Sequence, residues 1–398
     1  MSKLKYKIAI ALAAVLVLGS VLYIYLAHYA PYKPDTEQTV GVWYSDDDAM
    51  WSGFEALCEE YNGSEGAKYG IKISPRAFES DEELYKAVCD AAESGGELPA
   101  ITACDSDFAA YLDEKGLAAD MDKYFGKWET SGYNSTMKAA CTGKDGLVAI
   151  PLAAETELFI VNTDLFSDSA AVSNFEKLCS VANEYYKRNS ESFFTISSYS
   201  MFFRDAIGQL GEKFDGLSPH DTDSENCKYV YKLLAETAYD RGFTSVGTEA
   251  AEYLAEGKIA AAVISSADIM KCASSLDGEN FVFSDFPYMK DGKAVYTEKV
   301  TGMTILAADR QTEKCAQMFL RWFASSEVNS RFVGDSGYLA AIGSQSSSSE
   351  HGIYSRLMDA VSKMQKKGER IDYAAGAEYS ENSRNFDIVL RTIMSSLN

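Results

Sequence analysis

Histidine is scarce in this chain and its cysteines are not clustered. Only three histidines occur among 398 residues, and none lies at ligand spacing from a cysteine. The eight cysteines include no C-x-x-C pair, the spacing from which structural zinc sites are commonly built. We therefore expect no metal site and no cofactor. We also expect mostly reduced cysteines, because a free cysteine behaves as a small buried apolar residue.

Basic residues are few relative to acidic ones. The chain has 37 lysines and arginines against 59 aspartates and glutamates, a formal net charge of −22 at pH 7. Proteins bind nucleic acid by neutralising its phosphates with lysine and arginine, so this balance argues against a nucleic-acid partner. The surplus of acid is typical of a soluble, acidic domain outside the cell.

The usual signatures of catalysis are also missing. No glycine-rich phosphate loop occurs. Gly334–Gly337 has the form of a trypsin-type nucleophile segment, but neither His220 nor His351 lies in a matching histidine motif. With so many acidic residues, a glycosidase-like pair of carboxylates would be a chance finding. We expect a binding protein rather than an enzyme.

One long apolar run is present, at the start of the chain. Residues 8–26 carry no charge and follow Lys3, Lys5 and Lys7. At a rise of about 1.5 Å per residue, such a run spans roughly 28 Å, close to the thickness of the hydrocarbon core of a bilayer. Because lysines precede the run, we expect residues 1–30 to be an uncleaved, single-pass membrane anchor with a cytoplasmic N-terminus.

A cleaved signal peptide is the alternative. His28–Pro31 places a bulky residue where cleavage needs a small one, and Leu18–Val21 has the form of a lipoprotein box without its cysteine. We therefore favour the anchor. Residues 31–37 are a predicted short linker, which places residues 38–398 on the outer face of the cell membrane.

Beyond the linker, predicted strands alternate with amphipathic helices. Thr39–Tyr44 is a predicted strand that leads into a helix with Trp51 and Phe54 on one face, and Pro99–Ala103 and Leu147–Pro151 are further strands. Strands that alternate with helices in this way indicate a largely parallel α/β sheet. The length exceeds what one hydrophobic core usually supports, so we expect two lobes.

The order of these elements resembles that of the family 1 extracellular solute-binding proteins of ABC importers. The matching stretches are Val42–Tyr61, Gly96–Asp122, Gly146–Phe166, Glu252–Ile264 and Lys314–Leu339. The third stretch, with A-x-P followed by N-x-D-x-F, is the most similar to the family pattern. The resemblance extends over about residues 38–398.

This resemblance implies a two-lobed periplasmic-binding-protein fold after the N-terminal transmembrane helix. Lobe 1 would comprise about residues 38–154 and 303–349, and lobe 2 about residues 155–302 and 350–398. Strands that cross between the lobes are expected at Ala153–Glu157 and Thr301–Leu306. Open α/β sheets bind ligands at the carboxyl ends of their strands, so we expect the solute in the cleft, with closure about the crossing strands.

The candidate ligand-binding residues lie mostly at predicted strand ends or at positions that the resemblance indicates. They are Tyr44, Ser45, Asp46, Asp105, Glu155, Tyr199, Ser266, Asp268, Gly302 and Tyr338. Ser45 and Asp105 could equally cap the helices that follow them. The resemblance makes Tyr199 a stacking candidate, whereas Arg204 beside it could hold a carboxylate.

The polar residues at the strand ends bear on the class of solute. Asp46–Asp48 would fill the positive end of the helix that follows, which disfavours a carboxylate or phosphate and favours a neutral polyol or a cation. Where many sugar binders have a tryptophan, this chain has Ser265–Asp268. Fewer flat aromatic platforms disfavour a long oligosaccharide.

The predicted function is capture of a small polar solute for the permease subunits of an ABC importer, by a monomeric protein. A carbohydrate or polyol is the favoured solute, and a polyamine or another small cation is the alternative. A membrane-tethered sensor that reports ligand occupancy to a membrane partner is the alternative role.

Overall fold

A computed structural model describes residues 12–20, 32–46, 49–172, 174–212, 222–284, 286–334, 336–343, 352–371 and 379–397. Residues 12–20 form a helix whose side chains are all exposed. Within the described ranges, no helix combines the length and the apolar character needed to cross a bilayer. The predicted anchor lies largely outside these ranges, so it stays a prediction, and Asp47, Asp48, His220 and His351 also lie outside them.

Strands and helices alternate along the chain from Gln38 onwards. The strands are β1 (Gln38–Ser45), β2 (Ile71–Phe78), β3 (Ile101–Asp105), β4 (Ile150–Glu155), β5 (Glu157–Asn162), β6 (Phe194–Ile196), β7 (Ala261–Ser265), β8 (Phe281–Ser284), β9 (Val295–Thr297), β10 (Lys299–Ile305), β11 (Leu339–Ala340) and β12 (Glu369–Ile371). The helices of the first half are α1 (Phe54–Tyr61), α2 (Ala67–Tyr69), α3 (Asp81–Ser94), α4 (Ser106–Glu114), α5 (Ser135–Ala140), α6 (Phe175–Asn189) and α7 (Tyr199–Gln209). Those of the second half are α8 (Glu225–Tyr239), α9 (Ala250–Ala255), α10 (Ser266–Lys271), α11 (Ala273–Leu276), α12 (Arg310–Phe323), α13 (Ser326–Val333), α14 (Gly352–Lys367) and α15 (Tyr379–Leu397).

The first domain is built on a six-stranded sheet with the strand order β11-β4-β10-β3-β1-β2. β1 runs parallel to β2 and β3, whereas β10 is antiparallel to both β3 and β4. The sheet is therefore mixed rather than largely parallel throughout. The reason is that β10 enters from the second domain, at the edge where β1 to β4 end, and must run the other way.

The second domain is built on a four-stranded sheet with the order β6-β7-β5-β8, and β12 pairs with β9 in a separate two-stranded sheet. All six residues of β5 are buried. Phe159 and Val161 pack into a core with α6, α7, α8 and α15, whereas Leu158 and Ile160 point to the opposite face and join the core shared with the first domain. Burial on both faces explains the nearly continuous apolar sequence of β5.

The predicted helical faces of the first domain are confirmed. Phe54, Leu57, Cys58 and Tyr61 are the buried residues of α1. Phe54 packs edge-to-face on Phe323 of α12, with ring centroids 5.3 Å apart. All eight cysteines are free, and six of them are buried, as expected of small apolar residues.

Helix α3 shows how local sequence sets the element boundaries. The Ser80 hydroxyl accepts a hydrogen bond from the Glu83 N–H at 3.2 Å, which caps the start of the helix. Gly95 has a φ of +68° and ends it, because glycine adopts this left-handed conformation without steric cost. Gly95 therefore sets the end of α3.

Within the described residues, the chain passes between the domains at Thr156 and at Glu298, and these two passages lie side by side. Thr156 lies between β4 and β5, and Glu298 lies between β9 and β10. The Thr156 hydroxyl donates to the Thr297 carbonyl at 2.8 Å, and the Ser266 N–H donates to the Thr156 carbonyl at 2.8 Å. The first crossing therefore lies within the expected segment, Ala153–Glu157.

The second crossing lies earlier than the expected segment, Thr301–Leu306. β10 pairs with β4 from Lys299 onwards, so that segment belongs to the first domain. Gly302, a predicted ligand residue, lies inside the sheet beside a shift in register. A Cβ at Gly302 would lie 2.6 Å from the Ile150 carbonyl oxygen. Close backbone approach, not ligand contact, explains the glycine.

We expect Gly302→Ala to lower the free energy of unfolding by about 1–3 kcal/mol, because the added methyl group overpacks the sheet. Urea unfolding followed by tryptophan fluorescence measures this. Gly63→Ala is the matched control, since a Cβ there meets nothing within 4 Å. Equal stability of the two variants would contradict the account of Gly302.

Candidate functional site

The strand ends of the two domains meet around the crossings. β3 ends at Asp105 and β4 at Glu155 in the first domain, and β7 ends at Ser265 in the second. The Thr156 crossing joins the two sheets at these edges, so side chains at the strand ends and at the following helix starts face the other domain. The junction of these edges is the candidate site.

Glu155 connects the domains directly. Its carboxylate accepts a hydrogen bond from the Ser265 hydroxyl and lies 3.6 Å from the Lys299 ammonium group. Ser265 belongs to the second domain, so this contact bridges the junction next to the Thr156 crossing. The Glu155 side chain is only 13% exposed, which strengthens its charged interactions relative to those of a surface pair.

Asp107 is buried at the start of α4. Asp105 caps this helix by accepting from the Phe108 N–H at 2.7 Å, and Asp107 follows in the first turn. Burial and the neighbouring Asp105 raise the pKa of Asp107 well above its usual range, while the positive charges of Arg204 and Lys299 oppose the rise. Since Arg204 lies on α7, opposite charges face each other across the junction.

Further carboxylates are buried on the second-domain side. Glu157 is 2% exposed, and a hydrogen bond from the Ser198 backbone N–H stabilises its carboxylate. Burial raises the pKa of Glu157 well above its usual range, and the nearby carboxylates of Asp205 and Asp387 raise it further. Asp205 accepts a hydrogen bond from the Thr297 hydroxyl, and burial raises its pKa to about 7.

Asp387, on the C-terminal helix α15, occupies the N-terminus of α7. Its carboxylate accepts hydrogen bonds from the Tyr199 N–H at 2.5 Å, from the Ser200 N–H at 3.0 Å and from the Ser200 hydroxyl at 2.6 Å. A helix N-terminus attracts anions through its free N–H groups and its dipole. An internal carboxylate thus already occupies the anion-attracting N-terminus of α7.

The three predicted residues at the end of β1 lie in different environments. Tyr44 is buried in the core, and its hydroxyl donates to the Glu55 carboxylate at 3.3 Å. Ser45 is also buried and donates to Asp81 at 2.5 Å. Only Asp46 is exposed. Tyr44 therefore supports the strand from within, and Asp46 is the residue that reaches solvent.

Tyr199 and Tyr338 are enclosed as well. The Tyr199 ring is 0% exposed in the second-domain core, and its hydroxyl donates to Ser245 at 2.6 Å. Tyr338 is 1% exposed. The predicted stacking role of Tyr199 stays a prediction, since both side chains are buried and neither ring is exposed to a solute in this structure. The physical reason is that both side chains fill cores, where an aromatic ring makes the most apolar contact.

Ser266 and Asp268 follow β7 at the start of α10. The Ser266 hydroxyl accepts from the Thr156 N–H at 3.4 Å, which makes it part of the crossing itself. Asp268 is half-buried and lies 3.0 Å from Lys271, one turn further along the helix. The structure thus brings Ser266 and Glu155 to the same crossing, and it places Asp268 in a local ion pair.

Sequence reasoning missed four junction carboxylates: Asp107, Glu157, Asp205 and Asp387. Asp107 and Glu157 each lie two residues beyond a predicted ligand residue, Asp105 and Glu155 respectively. A second acidic residue so close to a strand end could have indicated them from sequence. Asp205 sits among apolar helix positions and could have been noticed as a polar exception. Asp387 reaches the junction from α15, and no local sequence pattern predicts its contact with the start of α7.

The carboxylates at the junction raise the question of a cation site, because oxygen ligands suit calcium and magnesium. Within the described ranges, no group of three or more histidine, cysteine, aspartate or glutamate side chains is arranged to hold a metal ion. Carboxylates also accept hydrogen bonds from hydroxyl and ammonium groups. They can therefore bind a small organic solute that carries such groups.

Comparison with known proteins finds relatives over most of the chain. The family model of the bacterial extracellular solute-binding proteins matches residues 56–350. The maltotriose-binding protein of Pyrococcus abyssi is 24% identical over 322 residues, which cover 76% of this chain and 66% of that protein, just under two thirds of its length.

Solved structures share the fold at low sequence identity. The cyclic α-maltosyl-1,6-maltose binding protein of Arthrobacter globiformis matches with a TM-score of 0.68 and 15% identity over 91% of this chain and 94% of that one. The GacH receptor of Streptomyces glaucescens, studied with acarbose, matches with a TM-score of 0.69 and 16% identity over 90% of this chain and 94% of that one. UgpB from Mycobacterium tuberculosis, in complex with glycerophosphocholine, matches with a TM-score of 0.71 and 16% identity over 90% of this chain and 95% of that one. These relatives bind solutes and are not enzymes, in agreement with the expectation from sequence.

Replacing Asp205 with asparagine tests the buried carboxylates. A carboxyl whose pKa rises from 3.8 to about 7 on folding is protonated in the folded state while the unfolded chain is ionised. The free energy of unfolding therefore falls as pH rises from about 4 to 7, by at most roughly 4 kcal/mol. The asparagine amide stays neutral and still accepts from Thr297, so Asp205→Asn should flatten this fall and be more stable than wild type at pH 8.

Urea unfolding between pH 5 and pH 8 measures the effect. Asp90→Asn is the control, because Asp90 is 63% exposed in a surface pair with Lys86, which contributes little. If the free energy of unfolding of Asp205→Asn and of wild type changed equally with pH, the proton-binding role of Asp205 would be wrong.

Proposed function

The chain belongs to the family of bacterial extracellular solute-binding proteins, and from that premise we propose that it captures a small polar solute between its two domains and delivers it to an ABC permease. The observation that carries the proposal is that polar side chains bridge the domains beside the crossings. Glu155 binds Ser265 across the junction, and Asp107 lies near Arg204. A cleft that closes about a few residues can trap a solute.

The junction carboxylates would make closure of the two domains depend on the presence of the solute. Rotation about Thr156 and Glu298 would separate Glu155 from Ser265 and expose the polar junction to water. A solute with hydroxyl groups would offer hydrogen-bond donors to Asp105, Glu155 and their neighbours from both sides. Because such a solute contacts both domains only when they are close together, it favours the closed form.

A carbohydrate or polyol is the solute that we propose. The relatives named above include a maltotriose-binding protein and a receptor studied with acarbose. Asp387 already fills the N-terminus of α7, which disfavours an anionic solute at that point. The absence of a tryptophan from Ser265–Asp268 favours a short sugar over a long oligosaccharide.

A small cation such as a polyamine is the second candidate, and one observation favours it. One carboxylate oxygen of Asp107 is buried without a hydrogen-bond partner within the described residues, and the buried Glu157 carboxylate lies near the further carboxylates of Asp205 and Asp387. An ammonium group would satisfy them with charge-assisted hydrogen bonds. Arg204 and Lys299 already supply positive charge near Asp107, so we place this candidate after the sugar.

The proposed setting is the outer face of the cell membrane. Residues 1–30 would anchor the chain, and the binding domain would work as a monomer beside the permease subunits. A tether of this kind keeps the binding domain at a high local concentration near its membrane partner. No cofactor is needed for binding and release.

A thermal-shift screen of the purified protein against sugars, polyols, polyamines and amino acids tests the proposed solute. A ligand at 100 times its Kd stabilises the folded state by about 2.7 kcal/mol. We expect a rise in Tm with at least one sugar or polyol. A rise with spermidine and with no sugar would establish the second candidate instead.

A pair of variants tests the proposed site once a solute is found. Glu155→Gln should weaken binding about tenfold or more, because a neutral amide accepts hydrogen bonds less strongly than a carboxylate. Glu236→Gln is the control, since Glu236 is 63% exposed on α8. Isothermal titration calorimetry gives both affinities, and equal affinities would remove Glu155 from the site.

A further inference from the structure

Helix α4 of the first domain is buried on two faces. One face packs into the core of the first domain and carries Phe108, Ala109 and Leu112. The other face, which we call the outer face of α4, lies outside that core and is still less than 8% exposed at each of Ser106, Asp107 and Ala110. A helix at the surface of one domain buries one stripe and leaves its other faces in water. Another part of the molecule therefore covers the outer face.

The second domain covers the outer face of α4. The C-terminal helix α15 packs against α4, and the positive charge of Arg204, on α7, acts on Asp107. Both α7 and α15 contribute side chains to the core of the second domain. The outer face is therefore buried by the contact between the domains, and rotation of the second domain away from the first would expose Asp107 to water.

Asp107 is the ionisable group on the outer face. Its Oδ1 atom is buried without a hydrogen-bond partner within the described residues. Burial is the largest cause of the raised pKa of Asp107, and the charge of Asp105 adds to it. Arg204 and Lys299 oppose the rise, although Lys299 also lies 3.6 Å from Glu155. Since water would reach the carboxyl when the domains part, the largest cause of the rise depends on closure.

The charged side chains of α15 whose surroundings the structure describes are engaged elsewhere. The Asp387 carboxylate accepts hydrogen bonds at the start of α7. A Cβ at Gly247 would lie 2.5 Å from the Cζ atom of Arg391, so this guanidinium group lies against the backbone of the second domain. Neither Asp387 nor Arg391 is among the charges that act on Asp107.

The other buried carboxylates of the junction are held within the second domain. Asp205 accepts a hydrogen bond from the Thr297 hydroxyl, and Glu157 accepts one from the Ser198 N–H. These hydrogen bonds come with the folding of the second domain and do not need the first. Asp107 is therefore the carboxylate whose surroundings change most when the domains part.

We propose that closure of the two domains takes up a proton at Asp107, so that the chain closes more readily in a mildly acidic medium than in an alkaline one. In the open form, water solvates the Asp107 carboxylate. In the closed form the carboxyl group is buried, and burial disfavours its charged state. Proton binding and closure therefore favour each other by the same factor. This inference rests on the proposed closure about the crossings and not on the identity of the solute.

Closure should weaken as pH rises. The pKa of Asp107 is higher in the closed form than in the open form, because burial is its largest cause. The proton therefore stabilises the closed form fully below the pKa of the open form, and this advantage is lost as pH rises through the pKa of the closed form. Capture of a solute would be tighter in acid, and release would be easier in alkaline medium.

Single-molecule FRET on the full chain, with no solute added, tests the proposal. The two dyes would be attached to keto-bearing amino acids in place of Asp90 on α3 and Glu236 on α8, which are each 63% exposed. We expect the ratio of closed to open molecules to fall at least about threefold from pH 5.5 to pH 8. Asp107→Asn is uncharged at both pH values, so its ratio should stay nearly constant. Glu114→Gln, exposed on the same helix, is the control and should keep the wild-type change.

A second variant tests the interface between the domains. Ala110→Glu places a longer, charged side chain on the outer face of α4, so it should hold the domains apart and lower the closed fraction at both pH values. Glutamate is a good helix former, so α4 should still form, and circular dichroism checks that the variants fold.

Three outcomes would overturn the proposal. The first is a wild-type ratio that is the same at both pH values. The second is an Asp107→Asn variant that keeps the wild-type change, which would assign the proton to another group. The third is an Ala110→Glu variant that closes as readily as wild type. A solute that raises Tm while the closed fraction ignores pH would leave the proposed function standing and remove the proton coupling alone.

Discussion

The structure depends on one constraint: the chain passes between the domains at Thr156 and again at Glu298, and the two passages are held together. The hydrogen bond from the Thr156 hydroxyl to the Thr297 carbonyl ties them. Because the second passage enters the first-domain sheet at the edge where β4 leaves it, β10 must run against its neighbours β3 and β4. The same geometry brings the ends of β3, β4 and β7 to one junction, where hinge and candidate site coincide.

The junction concentrates charge that is costly to bury. Asp107, Glu157 and Asp205 are each less than 5% exposed, and burial raises the pKa of all three. Buried carboxylates are tolerated when they are paired or protonated, and Arg204 and Lys299 supply part of the compensation. A solute that donates hydrogen bonds to these carboxylates would supply further compensation. The closed form is therefore the state that such a solute stabilises, which links the electrostatics of the site to domain closure.

The sequence predicted the architecture better than the site. Apolar periodicity correctly placed Trp51 and Phe54 on a buried face, and the connection at Ala153–Glu157 marked the first crossing, since both signals are local. The burial of the aromatic candidates could not be predicted, because a ring that fills a core, such as Tyr199, has the same sequence signal as one that faces a cleft. Asp387 is 188 positions from the Tyr199 N–H that it binds, and no local pattern carries such a contact.

Hydrogen–deuterium exchange with and without the solute tests the central claim, that both domains hold it at the junction of their strand ends. The account predicts slower exchange in segments of both domains that adjoin the crossings, residues 105–108, 155–157, 197–200 and 265–268. The amides of β8 and α14, which lie away from the crossings, should exchange at unchanged rates. Protection confined to one domain, or found at β8 and α14 instead of the crossings, would contradict the account.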